Sequence, residues 1–147
     1  MAAYWTNKGR ADVLSGGTSG REFRLILVHT APANAGAAAD LNFTSDIVAN
    51  ELTATNYARK TLANVTVTED DTNDWAKLDA DDPSTYTTLG GASNDTIRGG
   101  WVVRRATNGS DTDASDRLWC FLGVSDLPTN GGDVTLSFGA NGISTAA

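Results

Sequence analysis

One cysteine, one histidine, one methionine and three prolines among 147 residues leave few routes to several kinds of chemistry. A lone Cys120 cannot close an internal disulfide. It lies in the apolar run Leu118-Trp119-Cys120-Phe121-Leu122, where a free cysteine behaves as a small core hydrophobe. Nucleophilic catalysis needs a base beside a Ser, Thr or Cys. The only histidine, His29, ends an apolar stretch between Val28 and Thr30 and is expected to bond backbone or water. There is no Gly-X-Ser-X-Gly elbow, and Gly16-Gly17-Thr18-Ser19-Gly20 lacks the Lys-Ser/Thr ending of a phosphate loop, so it reads as a connector. No apolar run approaches the ~20 residues of a membrane helix. Met1–Lys8 has no apolar core of a secretory signal, which points to folding in a reducing cytosol. The expectation is a protein that is not an enzyme, with no cofactor, no metal and no membrane partner.

Large aliphatic and Phe side chains are also scarce. The counts of 12 Leu, 4 Ile, 9 Val and 4 Phe sum to 29, about a fifth of the chain. That is near the composition where disorder sets in. The strand patterning is too regular for a disordered chain, so a thin-cored β-protein is expected, gaining stability by burying surface against other subunits.

Charge is unbalanced, with 18 acids against 11 bases, a net charge of −7 and a pI near 4.4. A chain of this sign without a basic run is repelled by polyphosphate, which argues against nucleic acid as a partner. The sign is uneven along the chain. Residues 1–30 hold Lys8, Arg10, Arg21 and Arg24 against Asp12 and Glu22, whereas Glu69–Asp82 has seven acids and one base, Lys77. Such a dipolar layout fits a protein that docks by one end. The acidic stretches Asp70–Asp74 and Asp79–Asp82 invite a calcium reading, but Trp75 falls where an oxygen ligand is needed and the turn glycine is missing. A solvated loop is the better reading.

Along the chain, Thr6–Leu14 reads as a short helix and Ser15–Gly20 as a linker. Phe23, Leu25 and Leu27 alternate with Ile26 and Val28, the pattern of a central strand covered on both faces. Ala31–Asp40 reads as an Ala-, Pro- and Gly-rich loop, and Ile47–Leu52 as a helix capped by Thr44 or Ser45. Further strands are expected at Leu62–Thr68 (where Leu62 spoils the Val65/Val67 alternation), Asp74–Ala80, Thr96–Ala106, Arg117–Val124 and Val134–Phe138, with Glu69–Asn73 an acidic turn and Tyr86–Ser93 irregular. Six strands spaced by turns, with one or two short helices in the N-terminal third, predict a mainly β protein: an antiparallel β-sandwich of one domain, residues 1–147, with an N-terminal arm over about residues 1–20. On that arm Tyr4 and Trp5 sit outside any patterned element. They either pack over their own domain or anchor it against another chain.

The segments Ala49–Lys60, Val65–Thr68, Asp71–Ala80, Leu89–Ile97 and Asn130–Leu136 with Gly142-Ile143 resemble a family of small tailed-bacteriophage virion proteins. The early strand Phe23–Val28 fits too, so the resemblance spans most of residues 5–143. The shared features are turns and strand patterns rather than a chemical motif, and the tail Ser144–Ala147 departs from the family's usual ending. The resemblance implies a β-sandwich without catalytic residues that decorates or cements the capsid exterior. The partners implied are the major capsid protein and copies of itself, as dimer or trimer, and the location is the virion, assembled in the host cytoplasm. Tyr4, Trp5, Lys8 and Arg10, the basic and aromatic end, are the expected docking residues. The alternative is a tail or fibre protein recognising a host surface glycan in a groove lined by Trp75 or Trp101.

Overall fold

Alternation along Phe23–Val28 places this strand in the middle of the structure, and that is where it lies. The computed structural model describes residues 3–7, 9, 19–70, 75–139 and 142–146. Ten strands run through them: β1 (Ala3–Trp5), β2 (Phe23–Val28), β3 (Lys60–Leu62), β4 (Thr66–Asp70), β5 (Trp75–Asp79), β6 (Tyr86–Leu89), β7 (Thr96–Arg104), β8 (Arg117–Pro128), β9 (Gly132–Val134) and β10 (Ser144–Ala146). The main sheet is antiparallel throughout, in the order β1-β8-β7-β2-β3. A three-stranded sheet, β10-β5-β4, and the pair β6-β9 complete the strands.

Both faces of the main sheet are covered. Phe23, Leu25, Leu27 and Val102 point to one side, where Leu78 of β5, Tyr86 and Leu89 of β6, and Ile143 meet them. Ile26, Val28, Trp101 and Val103 point to the other, against Ala38 and Ile47. The parity read from β2 and β7 is therefore the observed one. The fold is mainly β and antiparallel, with sandwich-like packing on the first face and a cover of short helical turns on the second.

That cover corrects the expected placing of the helices. Ala35–Asp40, expected as a loop, is the short helix α1, capped by the Asn34 side chain accepting from Ala37 N at 2.9 Å. The expected helix at Ile47–Leu52 is instead two 3-10 turns, Thr44–Asp46 and Val48–Asn50. Asp46 does the capping there, its carboxylate accepting from Asn42 N and Phe43 N at 2.9 and 3.0 Å. The expected helix at Thr6–Leu14 and the turn at Glu69–Asn73 fall largely outside the described residues.

Other departures have local causes. The expected strand Leu62–Thr68 is split between two sheets, because Asn64 adopts φ 52 and turns the chain after β3. Tyr86–Leu89, expected to be irregular, pairs with β9. Thr88 sits at φ 48 there, a conformation costly for a β-branched residue. It is held by Asp133, which accepts from Thr88 N at 2.8 Å, and by Asn56 Nδ2 donating to Thr88 O at 2.9 Å. The strand at Val134–Phe138 ends at Val134, although Leu136 and Phe138 still pack on the core.

β8 carries a bulge. Val102 faces Cys120 but Val103 faces Leu118, so Trp119 is the extra residue, and it joins Cys120 on the first face. The run of five apolar residues thus serves both faces. Opposite it, Gly99 admits the Phe121 ring: an added Cβ would lie 2.3 Å from the ring and 2.6 Å from Leu122 O.

Candidate functional site

β2 begins, β7 ends and β8 begins at the same end of the main sheet, and residues 105–116 bridge β7 to β8 there. This bridging loop is pinned from several directions. The buried Asp116 carboxylate accepts from Ala106 N and Thr112 N, both at 2.8 Å. Its backbone oxygen accepts from Thr44 N at 2.9 Å, and Asp113 O accepts from Ser45 N at 2.8 Å. Asn108 ties the loop to the start of β2, accepting from Glu22 N at 3.1 Å and donating to Gly20 O at 2.8 Å.

Charged groups complete the clamp. Arg105, only 5% exposed, donates to Glu22 at 2.7 Å and to Asp111 at 2.9 Å. Asp111 also faces Arg24 at 3.4 Å. Arg59 grips Glu51 with two bonds of 2.9 and 2.7 Å and reaches Asp113 at 2.6 Å. Glu51 also accepts from the Tyr57 hydroxyl at 3.1 Å. These pairs shift the groups as their geometry requires. The hydrogen bond from Gly109 N, joined by Arg105, holds Glu22 below the usual carboxylate range. The Glu51 bonds, outweighing burial, raise Arg59. Burial depresses Arg105, but the bonds to Glu22 and Asp111 outweigh it and the net shift is upward. Burial and the Glu51 charge raise Tyr57.

Beside this clamp lies a cavity of about 330 Å³. Arg21, Arg104, Arg105 and Arg117 line it, with Phe43, Ala106, Ala114 and Ser115, so four arginines and no acidic residue stand among its described lining. Phe43 is positioned by a backbone bridge to Arg117 and by the Leu118 N bond to Asn42 O of 3.0 Å. Four of the chain's eight arginines thus converge in a protein of net charge −7. Guanidinium forks match the two oxygens of carboxylate or phosphate, and such pairs are favoured where water is partly excluded. Chemically, such a lining favours negative over positive groups.

The four expected docking residues lie elsewhere or outside the description. Residues 3–5 are not a free arm: they form the outer strand β1, paired with residues 120–122 of β8. Trp5 is 7% exposed, its ring 6.1 Å from that of Trp119, and so has little surface to offer a partner. Tyr4 is half-buried and stacks on Phe121 at 6.4 Å. Thr6 continues the tie, donating its amide to Trp119 O at 2.8 Å. Lys8 and Arg10 lie outside the described residues. The alternative glycan groove loses one wall, since Trp101 is 1% exposed within the core; the side chain of Trp75 lies outside the described ones.

His29 follows β2, its amide bonded to Asn50 O at 2.9 Å and its ring to Thr30 at 3.1 Å. Cys120 is fully buried, which pushes its thiol up and keeps it from forming a thiolate. The described acids of the calcium candidate are each engaged separately. Asp79 pairs with Lys77 at 3.0 Å, Asp81 accepts from Asn64 at 2.7 Å, and Asp82 accepts from Phe138 N at 2.6 Å. Among the described residues no group of three or more His, Cys, Asp or Glu side chains is placed to hold a metal.

The arginine cavity was not foreseen from the sequence, because its described residues come from four separate stretches of chain. The one local signal was the Arg104-Arg105 doublet closing an apolar strand. Comparison with protein families, curated proteins and solved structures gives no match to this chain.

Proposed function

We propose that the protein is a bacteriophage capsid decoration or cement protein, which binds the outer surface of the assembled head. The major capsid protein would be its partner, and copies of itself, as a dimer or trimer, would share the contact. The observation that carries this reading is charge polarity on a rigid end. In an acidic chain, Arg21, Arg104, Arg105 and Arg117 gather at one end of the main sheet, beside a loop fixed by ion pairs. Docking is accordingly assigned to this end, in place of Tyr4 and Trp5. The antiparallel fold agrees with what the resemblance to small virion proteins implies.

Area supports a one-ended contact. A standard interface takes about 800 Å² from each partner, roughly a ninth of this chain's 7199 Å². The mechanism is mass action. A protein that binds the closed shell and not its dissociated subunits stabilises the shell by about 2.7 kcal/mol per site when present at a hundred times its Kd. The test is to titrate purified protein onto undecorated heads of the virus that encodes it, and to follow the temperature at which the heads come apart. A rise that saturates with protein concentration supports the proposal. An unchanged temperature, with the protein remaining unbound on sedimentation, refutes it.

A further inference from the structure

We infer that the end of the main sheet opposite the clamp is the surface through which copies of this chain associate. The inference names the self-contact of the reading above and rests on that reading for its partner; measured on the free protein, it can fail while shell binding stands. β2 ends, β7 begins and β8 ends there, and three loops, residues 53–57, 89–95 and 128–132, meet beyond the strands. These loops are locked to one another. Thr55 donates its amide to Ser93 O at 3.0 Å and accepts from Gly90 N at 2.8 Å, and Gly131 N donates to Leu89 O at 2.8 Å. The buried Thr129 donates its amide to Asp95 O and accepts from Asp95 N through its hydroxyl, both at 2.8 Å. The Asp95 carboxylate accepts from Thr53 N and Thr96 N at 3.0 and 2.8 Å. The left-handed Thr88 stands at the same end, and strain of that kind gathers at functional surfaces whose neighbours over-determine it.

What this end exposes is small and uncharged. Ala92, Ser93, Asn94 and Asn130 are exposed on the loops, with Leu127 and Pro128 beside them on β8. Leu127, 38% exposed, and Val48 are the large apolar side chains that the described surface exposes. Short side chains on fixed loops lose little freedom when covered, and Leu127 supplies an apolar anchor. Charge selects the partner. The chain carries −7, so copies repel one another and meet at least cost through a surface whose exposed residues are neutral. The nearest charges are already answered: Arg98 pairs with Asp126 at 3.3 Å, and Asp95 and Asp133 accept from backbone amides. An identical neutral patch brings no new charge to this contact. The end proposed for the shell lies at the far side of the same sheet, so the two contacts do not compete.

The experiment is sedimentation equilibrium of the full chain across micromolar concentrations, in about 0.1 M and about 1 M sodium chloride, between which the screening length falls from about 10 Å to about 3 Å. A reversible dimer or trimer is expected, tighter at the higher salt, because screening removes the repulsion between copies while the contact itself depends on no ion pair. Leu127→Glu and Ala92→Glu each set like charges face to face and should weaken association by roughly a hundredfold or more. Val48→Glu is the control: Val48, 42% exposed, lies in the 3-10 turns that cover the second face of the sheet, and this variant should associate as the parent does. The thermal midpoint of each variant separates loss of association from loss of fold. A monomer at every concentration in both salts overturns the inference. So does association that salt weakens, that both Leu127→Glu and Ala92→Glu leave intact, or that Val48→Glu alone abolishes.

Discussion

Replacing Trp5 by alanine removes the largest side chain that the outer strand β1 contributes to the core. The indole is 7% exposed and packs 6.1 Å from the Trp119 ring, tilted by 40°. Truncation of a buried Trp typically costs about 3–5 kcal/mol, the transfer term plus the cavity left behind. An outer strand relaxes more readily than a central one, which favours the lower end, about 3 kcal/mol. At roughly 2.1 cal/mol/K per residue, a 147-residue chain unfolds with an entropy near 310 cal/mol/K, so this loss lowers the midpoint by about 10 °C. Tyr4→Ala, half-buried against Phe121, should cost less than half as much. Removing residues 1–5 deletes the strand itself and should cost at least as much as Trp5→Ala. The assay is equilibrium urea unfolding followed by far-ultraviolet circular dichroism, with the thermal midpoint as a second reading. A Trp5→Ala loss under about 1 kcal/mol, with the m-value unchanged, would refute the placement of residues 3–5 in the sheet.

Three further outcomes follow from individual contacts. Tyr86 is 1% exposed and its hydroxyl has no hydrogen-bond partner among the described residues, while Lys60 Nζ lies 4.8 Å from its ring centre; Tyr86→Phe keeps the ring and should leave stability unchanged or raise it by up to about 1 kcal/mol in urea unfolding, whereas a clear loss would expose a missing partner. Gly99→Ala drives a Cβ into the Phe121 ring and Leu122 O and should cost about 1–3 kcal/mol; a neutral result would mean that β7 and β8 are further apart than described. Glu22 has a folded-state pKa depressed by Gly109 N and Arg105, so its contribution to stability is present above its unfolded value near pH 4.3 and is lost as pH falls through the lower folded value; Glu22→Gln should therefore be less stable than the parent at pH 7, with the gap closing in unfolding curves taken between pH 4 and 2, and a gap constant over that range contradicts the clamp.

What could be read from the sequence, and what could not, divides by the range of the interactions involved. Side-chain parity along β2 and the Trp101-Val102-Val103 stretch of β7 is a two-residue signal, and it gave the correct faces for both strands. The break between β3 and β4 depends on Asn64 entering a left-handed conformation, and its only trace was the misfit of Leu62 in the alternation. α1 is an alanine-rich segment that local composition read as a loop; the Asn34 cap and the burial of Ala38 against the sheet make it a helix. The bulge at Trp119 is set by pairing with β7, which the strand's own pattern does not encode. Trp5 could be read either as packing on its own domain or as an interface anchor for a related reason: three residues of strand are too few to show alternation, and their partner lies more than a hundred positions away. The cavity is the extreme case. Arg21, Arg104 and Arg117 become neighbours only when the ends of β2, β7 and β8 align, so no local pattern announces them; Lys8 and Arg10, the expected docking residues, lie outside the described ones.

The central claim, that this chain is a shell-binding part of a virus particle, is tested most directly by immunogold electron microscopy of mature particles made by the genome that encodes it, using antibody against the purified protein. The account predicts regular labelling over the head exterior, lost when Arg21, Arg104 and Arg117 are replaced by Gln in a variant that still folds. Particles that contain the protein nowhere, or that carry it only on the tail, would contradict it.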